Sequence, residues 1–176
     1  MSTQQTAYTQ YTDANGTRFA FRHFGKPSVV PFVMLQHFRA SMDDWDPALI
    51  NAIAEKGTVL LLDNAGVGRS SGQVPTVFAG WAENVIVLLK ALIISEIDLL
   101  GFSRGGAAAQ MVALNGGDLA RARRLFLAGT GPSLGPSRVD AHVGPYETPK
   151  SVEPWRKRAG DQGLLLLPNY RRENSR

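Results

Sequence analysis

Four short apolar runs in the first 130 residues constrain the fold of this chain most strongly. They are residues 31–35, 59–62, 97–100 and 125–128. Asp98 is the single polar residue in these runs, so apolar and polar residues do not alternate along them. Continuous apolar runs of this length indicate strands buried on both faces, which is typical of parallel sheets. Helical patterns separate the runs, at residues 46–55, 77–92 and 106–114. The order predicts an α/β fold with a doubly wound, mostly parallel sheet.

A hairpin is predicted before the first of these runs. Residues 8–12 and 17–24 are rich in Thr, Tyr and Phe, and they flank the pair Asn15-Gly16. An Asn-Gly pair between two such segments is a strong signal for a tight turn between antiparallel strands. We therefore expect an N-terminal antiparallel hairpin at one side of the parallel sheet.

Residues 101–105 read Gly-Phe-Ser-Arg-Gly and connect the third apolar run to an alanine-rich segment. This context predicts a strand, a sharp turn and a helix, with the Ser103 side chain exposed at the turn. Gly101 and Gly105 leave room for a strained backbone and for close packing of strand and helix. The helix would point the positive end of its dipole at Ser103. The segment predicts a nucleophile, and the alternative is a glycine-rich turn without chemistry.

Composition limits the class of protein. The chain has 176 residues, of which 44% are apolar, and this predicts a soluble globular protein with a sizeable core. The absence of cysteine excludes disulfides, thiolate chemistry and cysteine-ligated metals. The first residues lack the pattern of a secretion signal, and no apolar run is long enough to span a bilayer. We therefore expect a cytoplasmic protein that does not contact membranes.

Charge and proline divide the chain into two parts. Residues 1–120 hold 8 basic and 10 acidic side chains, whereas residues 121–176 hold 11 basic and 5 acidic ones. No recognition motif accompanies the basic residues, so nucleic acid is not an expected partner. Prolines recur from residue 132 onward and interrupt every long element. We predict a core over residues 1–130 and a loosely structured tail, or remnant of a cap, over residues 131–176.

Three segments at the predicted ends of consecutive strands together resemble the α/β-hydrolase family. Residues 36–40, Gln-His-Phe-Arg-Ala, are similar to the His-Gly-x loop that carries an oxyanion donor in that family. Residues 63–70, Asp-Asn-Ala-Gly-Val-Gly-Arg-Ser, are similar to its Asp-x-x-Gly-x-Gly-x-Ser turn. The third segment is the turn that carries Ser103. The resemblance covers residues 8–130 and implies a serine hydrolase that acts on esters or related acyl substrates.

The resemblance also implies a role for particular residues. Ser103 would be the nucleophile, and the backbone N–H groups of Arg104 and Arg39 would form the oxyanion hole. Phe38 stands where the family usually has glycine, and its N–H is the alternative second donor. The remaining implied residues shape the site without reacting: His37, Gly101, Gly105 and Asp63.

A base and an acid are harder to assign. The family order is serine, acid, histidine, and this leaves His142 as the candidate base. His23 lies in a predicted strand, and His37 is expected to hold its loop. Between the serine and His142 the only acids are Asp118, expected at the far end of its helix, and Asp140, two residues from His142. We therefore expect the family's two later strands, its acid and its histidine to be missing.

Two functions remain open from the sequence. One is hydrolysis of a small-molecule ester-type substrate by a serine nucleophile. The other is a catalytically incomplete homologue that serves as a binding or interaction module, or has no function of its own. No cofactor or metal is predicted, because Gly66, Gly68 and Gly72 miss the dinucleotide-binding spacing and no phosphate-binding loop or metal-ligand pair is present. The oligomeric state is left open.

Overall fold

The chain begins with the hairpin that its Asn-Gly pair predicts. In the computed structural model, which describes residues 2–37, 40–131 and 165–166, β1 (Gln10–Ala14) pairs antiparallel with β2 (Thr17–Gly25). Asn15 and Gly16 between them have φ values of 48° and 74°, the two successive left-handed residues that this tight turn requires. β2 also pairs antiparallel with β4 (Thr58–Leu62), so the hairpin is continuous with the rest of the sheet.

The remaining strands form the parallel part of the sheet. β3 (Phe32–Leu35) lies between β4 and β5 (Glu96–Phe102), and β5 pairs with β6 (Arg121–Ala128). The spatial order is β1-β2-β4-β3-β5-β6 followed by a short strand β7 (Leu165–Leu166), which confirms the predicted mostly parallel sheet with an antiparallel hairpin. The last strand, β7, pairs parallel with β6.

Three helices connect the strands. They are α1 (Pro47–Ala54), α2 (Phe78–Ala91) and α3 (Arg104–Asn115). Asp46 caps α1 by accepting a backbone hydrogen bond of 2.8 Å, and the proline at the first helical position needs no donor. α3 begins directly after Ser103, two residues earlier than the sequence pattern predicts. The turn at Ser103 is therefore confined to a single residue between strand and helix.

Helices cover both faces of the sheet, as a doubly wound fold requires. On one face, α2 and α3 bury Val85, Leu88 and Ala108 against the strands. On the other face, α1 and a short 3-10 turn, Met42–Asp44, bury Ile50 and Met42. The carboxyl ends of the parallel strands consequently open at one edge of the sheet, between the two helical layers, and ligands bind at this edge in such folds.

Two predictions from the sequence concern membrane-spanning segments and the domain boundary. Among the helices of the described residues, none combines the length and the apolar character needed to cross a membrane. The predicted tail, apart from residue 131 and the two residues of β7, lies outside the described residues. The domain boundary near residue 130 stays a prediction.

Candidate active site

The backbone of Ser103 adopts a conformation that non-glycine residues rarely occupy. Its φ is 53° and its ψ is −119°. A residue held in such a region costs about 1–3 kcal/mol, so its surroundings must hold it there. The Ser103 N–H donates to the carbonyl of Ala128 at 2.9 Å, and the Ser103 carbonyl accepts the N–H of Gly106 at 3.0 Å. The end of β6 and the start of α3 thus hold this strained turn in place.

The two glycines that flank the turn lie where any side chain would collide with backbone. A methyl group on Gly101 would overlap the carbonyl oxygen of Gly105, and one on Gly105 would overlap the carbonyl oxygens of Leu35 and Gln36. The first contact presses α3 against β5, and the second presses α3 against the end of β3. The start of the loop after β3 therefore lies beside the first turn of α3, whose first residue is Arg104.

The loop after β3 begins close to the turn. The His37 N–H donates to the side-chain oxygen of Gln36 at 2.9 Å, and the His37 carbonyl accepts the N–H of Ala40 at 3.3 Å. The His37 ring packs edge-on against Phe102, with 5.7 Å between ring centroids. Phe38 and Arg39, the candidate donors of this loop, lie outside the described residues. The structure thus places the start of the loop beside the serine turn, and the Arg39 donor stays a prediction.

Asp63 connects this loop to the loop after β4. The residue is fully buried, and its two carboxylate oxygens accept the N–H of Met42 at 2.7 Å and the N–H of Arg69 at 2.8 Å. The Ser70 hydroxyl donates to the Asp63 carbonyl at 2.7 Å. Gly68, with a φ of 54°, lies against the carboxylate, where a side chain would collide with it. These contacts suit the structural role that the resemblance implies for Asp63.

A charge network near the same loop is not predicted by the sequence. Asp43 forms ion pairs with Arg22 at 2.6 Å and with Arg69 at 2.5 Å. Burial of Asp43 opposes its ionisation, but hydrogen bonds from Arg69 and Arg22 and their positive charges outweigh it and lower the pKa of the carboxyl. Arg22 lies on β2, far from Asp43 along the chain, so no local pattern could have revealed this pair.

The chain that follows β6 is tied to α3. The side-chain amide of Gln110 donates to the carbonyls of Gly106 at 3.2 Å and Gly131 at 3.1 Å. The described residues directly after β6 are Gly129, Thr130 and Gly131, so no acid lies at this strand end within the described part. The candidate base, His142, lies outside the described residues. Within the part of the chain that the structure describes, no three metal-ligating side chains are grouped.

Comparison with known proteins defines the family. The model of the alpha/beta hydrolase fold family matches residues 30–145, about two thirds of the chain. An alpha/beta hydrolase fold protein from Chitinophaga pinensis is 36% identical with a TM-score of 0.72, over 77% of this chain and 48% of that one. The chain therefore belongs to the α/β-hydrolase fold family.

Two further solved structures are similar. A hydrolase from Pseudomonas aeruginosa PA01 is 30% identical with a TM-score of 0.63, over 73% of this chain and 48% of that one. The epoxide hydrolase CorEH is 26% identical with a TM-score of 0.65, over 79% of this chain and 47% of that one. The chain spans about half the length of each of these proteins. A comparison with curated proteins gave no significant match.

Proposed function

We propose that this chain carries a serine-nucleophile hydrolase site for esters or related acyl substrates, with Ser103 as the nucleophile. The observation that supports the proposal best is the left-handed backbone of Ser103 between β5 and α3. Strain of this kind clusters at active sites, where the surrounding structure maintains it for the sake of the reaction. The N-terminus of α3 directly follows the serine, and its positive dipole favours the negative charge that develops during acyl transfer.

The oxyanion hole in this proposal has two backbone donors. One is the N–H of Arg104, the first residue of α3. The other is the N–H of Arg39, which follows in the sequence the residues Leu35 and Gln36 that lie against Gly105 of α3. His142 is the proposed base that accepts the Ser103 proton. The substrate is a small molecule in this proposal, and no cofactor takes part.

The chemistry of a serine nucleophile favours acyl substrates over epoxides. Attack by the Ser103 oxygen on a carbonyl expels the leaving alcohol and gives an enzyme ester. Water then attacks the carbonyl of that ester, releases the acid and restores Ser103. Attack on an epoxide would instead leave an ether on Ser103, with no carbonyl for water to attack. The similarity to the epoxide hydrolase CorEH, at 26% identity, therefore supports the fold but not that reaction.

A second candidate function is a catalytically incomplete homologue that binds without turnover. One observation favours it, namely that the described residues after β6 contain no acid. Without a base, Ser103 stays a neutral alcohol at pH 7. The oxyanion donors alone leave about 10³- to 10⁴-fold acceleration over water in serine hydrolases.

Covalent labelling with a fluorophosphonate, followed by mapping of the labelled residue, tests the proposal. We expect the label on Ser103, its loss in Ser103→Ala, and no change in the control Ser95→Ala, which removes an exposed hydroxyl at the other end of β5. Label on another serine would reject Ser103 as the nucleophile.

Turnover of p-nitrophenyl acetate then separates the two functions. Equal, complete loss of a saturable rate in Ser103→Ala and His142→Ala indicates an enzyme, and a wild-type rate no better than that of Ser103→Ala indicates the incomplete homologue.

A further inference from the structure

The Phe102 side chain connects the serine turn to both flanks of the loop after β3. It ends β5, is covalently joined to Ser103, and is 38% exposed. Its ring meets His37 nearly at right angles, at 86° and 5.7 Å, and meets Trp45 at 49° and 6.3 Å. Both separations lie within the range in which aromatic pairs attract each other.

The two partners of Phe102 flank the same loop in the sequence, one before it and one after it. His37 directly precedes Phe38 and Arg39 in the sequence, and Trp45 directly follows the 3-10 turn Met42–Asp44. A single ring therefore contacts both flanks of the segment that carries the proposed second oxyanion donor. Displacement of either flank away from the Phe102 ring breaks a ring contact.

The chain after β6 also restricts the Phe102 ring. A methyl group on Gly129 would come within 3.0 Å of the Phe102 ring atom Cε2, so the chain after β6 lies directly against the ring. Gly129 has a φ of 57°, which favours glycine at this position. The ring thus lies close to the chain after β6 as well as to the two flanks of the loop.

We propose that Phe102 is a positioning residue that holds the two flanks of the loop after β3, at His37 and Trp45, beside the serine turn. The consequence for catalysis rests on the proposed function, because it requires the loop to supply an oxyanion donor. Such donors act when they lie about 2.7–3.1 Å from the developing oxyanion. A displacement of about 1 Å costs about 100-fold in rate. Removal of the ring is therefore expected to lower kcat and to leave substrate binding nearly unchanged.

Three variants make the proposal testable. Phe102→Ala removes the ring, Phe102→Leu removes it while keeping most of the volume, and Phe102→Tyr keeps it. Phe126→Ala is the matched control, because Phe126 forms a comparable ring pair with Phe32, at 5.4 Å and 49°, on the neighbouring strand β6. If Phe102→Ala does not fold, the Leu variant takes its place.

Hydrogen exchange of the loop amides tests the positioning role without any activity. The probes are the N–H groups of Ala40, Met42 and Asp44, whose acceptors in the folded protein are known. We expect faster exchange in Phe102→Ala or Leu, and wild-type exchange in Phe102→Tyr and Phe126→Ala. Equal exchange in all variants would overturn the proposal. So would an equal acceleration in Phe102→Ala and Phe126→Ala, since that would indicate general loss of stability.

Kinetics with p-nitrophenyl acetate tests the catalytic consequence. In Phe102→Ala we expect kcat to fall about 10- to 100-fold, with KM within about twofold of wild type and recovery in Phe102→Tyr. If Phe102→Ala and Phe126→Ala had equal kcat values, the catalytic role of Phe102 would be overturned. If the wild-type protein neither turns over the ester nor accepts a fluorophosphonate on Ser103, the proposed function fails. The exchange experiment decides the positioning role in that case too.

Discussion

The buried carboxylate of Asp63 accepts the backbone N–H of Met42 at 2.7 Å, and this bond joins the end of β4 to the 3-10 turn in the loop after β3. The second oxygen accepts the N–H of Arg69, so the charge is compensated by two donors that are part of the main chain. A buried carboxylate is stable only with such partners. The loop after β3 therefore depends on Asp63 for its position, as it does on the contacts of Phe102.

Asp63→Asn is expected to lower the free energy of unfolding by about 2–3 kcal/mol. The amide keeps the shape of the side chain, but its NH2 group must face one of the two N–H donors, which leaves that donor without an acceptor. Urea denaturation measures the change. Asp13→Asn, on the exposed part of β1, is the control and should stay within about 0.5 kcal/mol of wild type. If Asp63→Asn left the free energy of unfolding unchanged, the carboxylate charge would not stabilise these loops.

Ser103→Gly is expected to raise the stability of the protein. The φ of 53° and ψ of −119° strain a serine but not a glycine, and the relief is worth about 1–2 kcal/mol. The same change removes the hydroxyl, so labelling by a fluorophosphonate should disappear. Ser103→Ala, which keeps the strained Cβ, should lose the label without the gain in stability. If Gly and Ala variants have equal melting temperatures, the turn is not strained in solution.

Ile93→Gly is expected to stabilise the end of α2. Ile93 has a φ of 58° and is 93% exposed, so its side chain contributes little burial while its backbone is strained. Its N–H donates to Lys90 at 3.1 Å, and the next N–H donates to Leu89 at 2.9 Å, a helix end at which glycine is usual. We expect the free energy of unfolding to rise by about 1 kcal/mol, and thermal denaturation measures this change. Val29→Gly is the control: Val29 is 99% exposed without a positive φ, so this change should give no gain.

The ion pairs of Asp43 predict a change of stability with pH. Its pKa in the folded protein is lowered, so the folded state holds this proton less tightly than the unfolded chain, whose aspartates titrate near about 3.9. The stabilisation is therefore complete above that value and is lost as the pH falls through the folded pKa.

Asp43→Asn is expected to lower the free energy of unfolding by about 1 kcal/mol at pH 7. The value is modest because the carboxylate is partly exposed. The difference between wild type and variant should shrink below about pH 4. Urea denaturation across this range measures it, and Asp13→Asn should keep the wild-type profile. A difference that stays constant down to about pH 2 would show that the carboxylate acts through packing rather than charge.

The elements of the fold could be predicted from the sequence because their signals are local. The turn at Asn15 and Gly16 follows from two residues that accept a positive φ, and the parallel strands follow from apolar runs too uniform for a half-exposed sheet. The serine turn was also predictable, since Gly101 and Gly105 mark where strand and helix approach too closely for side chains.

The contacts around the site were decided by the tertiary structure alone. Asp63 meets Met42, Arg22 meets Asp43, and Phe102 meets both His37 and Trp45, each across a long stretch of chain. No periodicity or spacing encodes such pairs, because they depend on strand order and register within the sheet. The sequence by itself determined which residues form the strand, the turn and the helix. The packed sheet determined which side chains hold the loop after β3 beside Ser103, since only packing brings distant segments into contact.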